Sequence, residues 1–335
     1  MGAETGAGGS TSQARRLLGR SARMVLALVA VGILLYVGHS NAHDLTKVKL
    51  RLSPAWLVAA FPFYAASSLC LALGWRQQLA AFGHRLPVAV AIRIWWRAQL
   101  ARYVPSGLAA FASRAALGRD AGVPPAVGAA SLVFELVTII GWGCVAAAIG
   151  LPSILLAGPL RLALGAAAAA GLASLPFTYP RVARLGRRIP ALQTLSATPA
   201  RRPALYGGVG LYGTSVALKS VSFVLFAAAL VSTRTSDGWL LAGAVQAAAV
   251  IGIIGVTPAG IGVREGAMIG LLSHRFGTTD AAALAVAWRA WEFSFELSWL
   301  GLGTVIGRRG PAAPPAAPGP TGPPAPPAAD LRRTT

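Results

Sequence analysis

Runs of about 20 mostly apolar residues recur along the chain, and each is long enough to cross a bilayer as one helix. The clearest runs are 54–74, 124–150, 154–177, 205–232 and 280–303. Of the 335 residues, 55% are hydrophobic and 12% are charged, whereas about 25% are charged in a typical soluble domain. The sequence therefore predicts an all-α, polytopic membrane protein.

A shorter apolar run, 24–38, follows a polar and basic segment at 1–23. We interpret 1–23 as a flexible basic arm and 24–38 as the first membrane helix. A cleaved signal peptide has the same order of features, and 40–42 is an acceptable cleavage site, so this alternative stays open. The internal repeat described below requires the helix.

Two further apolar stretches, 86–122 and 238–277, are each interrupted by proline, a small residue and glycine. Proline and glycine break a helix and free its backbone groups. Each half of a stretch is about 15–20 residues long, enough for one arm of a re-entrant hairpin. We therefore predict two hairpins, with full crossings as the alternative. The predicted breaks lie at Pro105, Gly107, Pro258, Gly260 and Gly262.

The two halves of the chain follow the same order. Gly122 lies 17 residues after Pro105, and Gly277 lies 19 residues after Pro258. A span with charge near its middle follows each glycine. We predict two inverted repeats, each of three spanning helices and one broken hairpin, because broken segments at matching positions are the best sequence indication of a transporter binding site.

These patterns set the predicted domain boundaries: the arm at 1–23, repeat 1 at 24–150, repeat 2 at 151–307 and a Pro-rich disordered tail at 308–335. Proline-rich segments of this kind form extended linkers with no core of their own.

The distribution of basic residues predicts the orientation. Arginines concentrate in 15–23, 76–119, 181–202 and 308–333, and all four segments fall on one side when the N-terminus is inside. The positive-inside rule then places both termini in the cytoplasm of a multi-pass plasma-membrane protein. The net charge of +20 thus indicates loops and anionic headgroup contacts, with no nucleic-acid signature.

Charged residues within or just after the broken stretches are the candidates for a lipid headgroup site and a translocation path. A charge inside the membrane is costly and needs a partner or water, so it is a functional hypothesis by default. An ion pair that only holds the bundle together, or arginines that only anchor a loop, are the alternatives. The candidates are Arg114, Glu135, Arg264, Glu265, Arg289, Glu292 and Glu296.

Spacing and chemistry suggest how these residues act. Arg289, Glu292 and Glu296 are spaced i, i+3, i+7, which places them on one helix face. Glu135 is expected to pair with Arg289 or with an arginine of the first hairpin. Guanidinium groups bind phosphate with two prongs. Lys219 and Gln246 are interpreted as residues that make hydrogen bonds between helices.

No hydrolase triad, zinc-protease motif, P-loop or metal-binding carboxylate pair occurs in the sequence. His39 and His43 lie beside Asp44, but no third strong ligand is evident, so we predict no metal and no cofactor. Only five aspartates are present, which argues against a nucleotide-driven pump and, weakly, against an enzyme.

The segment VTPAGIGVREGAMIGLLSHRFGTTDAAALAVAWRAWE resembles the signature of the lysylphosphatidylglycerol synthase transmembrane-domain family. The matching second-half residues are Pro258, Gly260, Gly262, Glu265, Gly277 and Arg289. The weaker first-half match consists of Pro105, Gly107, Arg114, Gly122 and Glu135. Leu136 stands where the family commonly has arginine, so Arg114 would have to replace that arginine in headgroup binding.

This resemblance, over roughly residues 20–305, implies a flippase-like membrane protein. In bifunctional relatives a synthase domain follows, whereas only the Pro-rich tail follows Arg309 here, so synthase activity is not expected. We predict a translocase for an anionic, aminoacylated or polyprenyl-linked lipid, with that lipid and possible envelope-synthesis proteins as partners. The alternatives are a membrane-embedded enzyme acting on lipid-linked sugars and a non-transporting scaffold of envelope synthesis.

Overall fold

The computed structural model describes residues 52–99, 101, 109–185, 201–255, 260 and 262–309. Within this part of the chain it contains nine α-helices and no strand, which confirms the all-α prediction. The helices are α1 (Pro54–Ala81), α2 (Val88–Gln99), α3 (Ala109–Asp120), α4 (Pro125–Gly150), α5 (Gly158–Leu185), α6 (Arg202–Leu230), α7 (Asp237–Ile254), α8 (Val263–Phe276) and α9 (Thr278–Arg309).

Several sequence predictions fall outside the described residues. These are the arm at 1–23, the first span at 24–38, the breaks at Pro105, Gly107 and Pro258, and the tail beyond 309. Helix α9 runs to Arg309, two residues into the segment assigned to the tail.

Five of the described helices are long and apolar enough to cross a membrane: α1, α4, α5, α6 and α7. Helix α7 was expected to be a hairpin arm, yet its 18 residues extend about 27 Å, close to the bilayer thickness. Helix α9 was counted as a span, and its 32 residues are long enough. It falls outside the five because charged residues interrupt its apolar composition.

Local sequence explains where the helices start and stop. Helices α1, α4 and α6 carry proline in their first turn, where its missing N–H has no intrahelical acceptor to lose. The chain turns after α3 and α8 at Gly122 and Gly277, with φ of 84° and 81°. A glycine with positive φ commonly ends a helix, and both halves have one at the predicted position.

The order long, short, short, long occurs twice among the described helices. Helices α1 to α4 contain 28, 12, 12 and 26 residues, and helices α6 to α9 contain 29, 18, 14 and 32 residues. Helix α5 lies between the two sets. Since α2 and α3 are each about 18 Å long, neither alone reaches across the roughly 30 Å of hydrocarbon.

Helices α1 and α6 form the largest helix–helix interface in the described structure and run antiparallel. Ser53 N–H, just before α1, donates to Ala229 C=O near the end of α6, and Arg201 N–H donates to Ala81 C=O at the other end. Halfway along, the Ser67 hydroxyl donates to the Ser215 carbonyl at 2.9 Å, and the Ser215 hydroxyl donates to the Ser67 carbonyl at 2.9 Å. This reciprocal pair joins the helix centres.

Two hydrophobic clusters flank the α1–α6 pair. One contains buried residues of α2, α4 and α5, and the other contains buried residues of α7, α8 and α9. Helices α1 and α6 contribute to both clusters. The first cluster packs around Trp75 and the second around Trp288, each 1% exposed. Each cluster surrounds one group of buried charges.

Candidate functional site

The first group of buried charges joins α3 to α4. A terminal guanidinium nitrogen of Arg114 donates to Glu135 Oε2. Both residues are almost fully buried, at 3% and 4% exposure. An isolated charge at such a position is strongly unfavourable, so each of these two charges requires the other. This confirms that a hairpin arginine, one of the two expected partners, pairs with Glu135.

Aromatic side chains complete the surroundings of this pair. The Tyr212 hydroxyl on α6 donates to Glu135 Oε2 at 2.8 Å. The Arg114 guanidinium carbon lies 5.7 Å from the ring centres of both Trp75 and Trp95. Indole faces attract cations, so the two tryptophans help to hold the guanidinium in place.

The second group of buried charges is built around Glu292 on α9, which is 3% exposed. Arg264, in the first turn of α8, makes a two-pronged pair with it, with Nη1–Oε2 and Nη2–Oε1 distances of 2.7 and 2.9 Å. Lys219 Nζ on α6 lies 2.7 Å from Glu292 Oε1. One carboxylate thus connects three helices.

Arg289 and Glu265 extend the second group. Arg289 Nη1 is 3.7 Å from Glu292 Oε2, and Arg289 Nε is 3.7 Å from Glu265 Oε1. Glu265 Oε2 accepts the Gly262 N–H at 2.6 Å. Glu265 therefore caps the start of α8 and also faces Arg289. The network thus contains four predicted site residues, Arg264, Glu265, Arg289 and Glu292, and the break residue Gly262.

A glycine contact sets the position of Arg264. Gly260, at the second break, has φ of 70°. A Cβ on Gly260 would lie 2.9 Å from the Gly252 carbonyl oxygen, and a Cβ on Gly252 would lie 3.0 Å from Arg264 Cβ. A side chain at Gly260 would therefore collide with the backbone of α7, and one at Gly252 would crowd Arg264, so the two glycines allow the chain after α7 to pack closely against that helix.

Each group of charges borders a narrow crevice. Arg264, Glu265, Arg289 and Glu292 line one, together with Met268, Ala285 and Trp288. The other is lined by Arg114, Trp75, Ala115, Gly118, Val123, Gly128 and Leu132. Among the described residues, both crevices are too narrow to admit a water molecule.

The structure places six of the seven predicted charged residues in these two groups. The seventh, Glu296, is half-buried one turn beyond Glu292 on α9. Arg114 and Glu135 lie in the first group, and Arg264, Glu265, Arg289 and Glu292 lie in the second.

Two residues of the groups were not predicted. Lys219 makes the contact between helices that its interpretation expects, but its partner is the site residue Glu292, which makes Lys219 part of the second group. A lone lysine in a long apolar run was the signal that could have found it. Tyr212 carries no comparable signal, because its role depends on how α6 packs against α4. Gln246, by contrast, donates to the Val216 carbonyl and the Ser220 hydroxyl, as the helix–helix interpretation expects.

A separate ion pair holds the far ends of α7 and α8 together. Arg275 Nε and Nη2 donate to Asp237 Oδ1 and Oδ2 at 2.8 and 2.9 Å, and Asp237 Oδ2 also accepts the Arg234 N–H. Neither Asp237 nor Arg275 lines a crevice. Within the described residues, no group of three or more His, Cys, Asp or Glu side chains is arranged to hold a metal ion.

Comparison with known proteins gives one match. The family model described as "Lysylphosphatidylglycerol synthase TM region" matches residues 23–297, which include all the charged residues of both groups. Neither a curated protein nor a solved structure matches the chain.

Proposed function

Because the chain belongs to the lysylphosphatidylglycerol synthase TM region family, we propose that this multi-pass membrane protein translocates a phosphate-bearing lipid between leaflets. The observation that carries the proposal is the pair of buried Arg–Glu contacts. Each links the second arm of a broken segment to the long helix that follows, Arg114 to Glu135 and Arg264 to Glu292. Each also borders a crevice.

The chemistry of these residues suits a lipid headgroup. Buried ion pairs contribute little net stability, because removing charge from water costs about as much as the attraction returns. Their recurrence beside two crevices therefore favours a functional role. Guanidinium groups hold phosphate oxygens with two prongs, so an anionic, aminoacylated or polyprenyl-linked lipid that carries a phosphate is the proposed substrate class.

An inverted repeat gives this chemistry a route across the membrane. Helices α1 and α6 occupy matching places in the two halves and run antiparallel, as repeats with opposite membrane orientation require. Tyr64 and Tyr212 both lie three residues before the reciprocal serines, and each contacts the charges of the other half: Tyr212 binds Glu135, and the Tyr64 ring lies 5.9 Å from Lys219 Nζ. We infer that the crevices open alternately towards the two leaflets.

The orientation and location belong to the same proposal. The arginine-rich segments favour a cytoplasmic position for both termini and insertion in the plasma membrane. Envelope-synthesis proteins remain predicted partners of the tail.

A leaflet-exchange assay tests the translocase. The purified full chain is placed in liposomes containing a fluorescent phosphatidylglycerol, and a membrane-impermeant reductant destroys the label in the outer leaflet. Translocation makes loss of signal exceed the outer-leaflet half. The variant R289A/E292A removes one cation and one carboxylate, so the net charge of the second group stays the same; we expect its signal loss to stop at half. If the loss of fluorescence in liposomes with the wild-type protein also stops at the outer-leaflet half, the proposal is contradicted.

The matched control is D237N/R275Q. It also removes one cation and one carboxylate that are paired between α7 and α8, but away from both crevices. We expect it to retain exchange, so that loss in R289A/E292A is attributable to the crevice and not to a broken ion pair in general.

A further inference from the structure

The two groups of buried charges differ in the number of cations that they bring together. Arg114 and Glu135 are one cation and one carboxylate. In the second group, the three cations Lys219, Arg264 and Arg289 pair with the carboxylates of Glu265 and Glu292. If α1 and α6 are matched through their reciprocal serines, Leu71 stands where Lys219 does, so the additional cation is a feature of the second half alone.

The three cations converge on one carboxylate. Glu292 Oε1 is approached by Lys219 Nζ at 2.7 Å and Arg264 Nη2 at 2.9 Å, and Oε2 by Arg264 Nη1 at 2.7 Å and Arg289 Nη1 at 3.7 Å. A phosphodiester, like a carboxylate, presents two charged oxygens on one central atom, and arginine binds either anion with two prongs. The cations thus form an anion subsite that the chain fills with its own side chain.

Two side chains at the edge of the subsite are partly exposed. The side chains of Lys219 and Glu265 are 22% and 20% exposed, whereas that of Glu292 is 3% exposed. Arg264 also lies in the first turn of α8, where the helix dipole favours an anion. An anion entering past Lys219 therefore meets positive charge before it meets Glu292.

We propose that Glu292 is an internal competitor: it occupies the phosphate subsite formed by Lys219, Arg264 and Arg289, and the phosphate of the ligand displaces it. Displacement removes the Arg264–Glu292 link between α8 and α9, and so couples binding to widening of the crevice between them. The lipid source of the phosphate rests on the proposed function, whereas the self-occupied subsite does not.

A self-occupied site has a lowered apparent affinity. The apparent dissociation constant equals the intrinsic one divided by the fraction of protein whose subsite is free. If Glu292 fills the subsite in nine of ten molecules, removing its charge strengthens binding about tenfold. If Glu292 instead only holds the arginines in place, neutralising it weakens ligand binding, because the cations then lose their arrangement.

A direct binding measurement distinguishes the expected increase in affinity from a decrease. The full chain in a nonionic detergent is titrated with short-chain dihexanoyl phosphatidylglycerol and, separately, with inorganic phosphate. We expect E292Q to bind the short-chain lipid about tenfold more tightly than the wild type, and K219Q/E292Q to lose the gain. A gain with phosphate as well identifies a subsite for the phosphate alone, and a gain confined to the lipid identifies one that also contacts the rest of the headgroup. Unchanged or weaker lipid binding by E292Q overturns the proposal.

The control is D237N, which neutralises another buried carboxylate paired with arginine and should leave the affinity at the wild-type value. If E292Q is not monodisperse, E292D replaces it; its shorter side chain reaches fewer cations, so a smaller gain of the same sign is expected and no gain overturns the proposal. If E292Q binds the lipid more tightly but the wild type shows no leaflet exchange, the self-occupied subsite is supported and the translocase proposal is rejected.

Discussion

At the scale of single residues, the Tyr212 hydroxyl should stabilise the first group of charges. It donates to Glu135 from a residue with no exposed surface. A hydrogen bond to a charged group contributes about 1.5–3 kcal/mol. We therefore expect Y212F to lower the free energy of unfolding by about that amount, measured as a lower thermal midpoint in detergent. Tyr206 is 44% exposed on the same helix, so Y206F should leave the midpoint unchanged; an equal loss in both variants would mean that the contact with Glu135 is not the cause.

Lys219 gives a second residue-scale prediction, on activity. K219Q leaves Glu292 without one of its close cations and removes positive charge at the edge of the subsite. We expect leaflet exchange to slow about tenfold, which corresponds to roughly 1.4 kcal/mol. Arg202, an exposed cation at the start of the same helix, supplies the control R202Q. Exchange that slows equally in R202Q would point to general surface charge.

The charged residues show what sequence can and cannot predict. The spacing after each break indicated Arg114, Glu135, Arg264 and Glu292, because membrane charges are rare and need a reason. It did not choose between two partners for Glu135, since that choice depends on the packing of α3 against α4. Lys219 and Glu292 are separated by 73 positions in the sequence, and only the meeting of α6 and α9 reveals their contact.

At the scale of helices, α4 and α7 approach so closely that their backbones touch. A Cβ on Gly150 would lie 2.3 Å from the Trp239 carbonyl oxygen, and a Cβ on Gly243 would lie 2.8 Å from the Gly150 carbonyl carbon. Small residues at such contacts are typical of membrane helix pairs, where packing drives association. We expect G150A to separate the helices and to reduce stability by about 1–3 kcal/mol.

Thermal unfolding of the full chain measures this loss. The control is G171A in α5, where an added Cβ meets no heavy atom within 4 Å. Alanine favours a helix over glycine, so G171A should be neutral or slightly stabilising. A neutral G150A would show that the α4–α7 contact relaxes without cost.

The sequence predicts where helices begin and end better than it predicts whether a helix spans the membrane or forms one arm of a hairpin. Proline in the first turn and left-handed glycine after the last turn are local signals, and they marked the start of α4 and the turns at Gly122 and Gly277. Whether α7 is a hairpin arm or a full span is not local: its length and composition allow both. The same holds for α9, which is long enough to cross the membrane but is made less apolar by its charged residues.

At the scale of the whole molecule, the antiparallel α1–α6 pair lies between the two hydrophobic clusters and contacts both groups of buried charges. Its two ends enter different hydrophobic clusters, and each helix reaches into the charged group of the other half through Tyr64 or Tyr212. A movement of α6 relative to α1 therefore alters both groups at once. Such shared elements are what alternating access requires, because opening one crevice has to be coupled to closing the other.

The proposed inverted repeat makes a prediction about sidedness. Helices α3 and α8 occupy matching places, and the exposed residues Asp120 and Thr279 lie at the turns that follow them. Inverted repeats place these turns on opposite sides of the membrane, and the arginine distribution puts Asp120 inside. We expect T279C to react with a membrane-impermeant maleimide in intact cells, and D120C to react only after permeabilisation. The parent for both carries alanine in place of Cys70 and Cys144, the two free thiols, and should stay unlabelled. Labelling of both cysteines from the same side would mean that the halves are not inverted, and alternate opening of the two crevices towards opposite leaflets would then lose its structural basis.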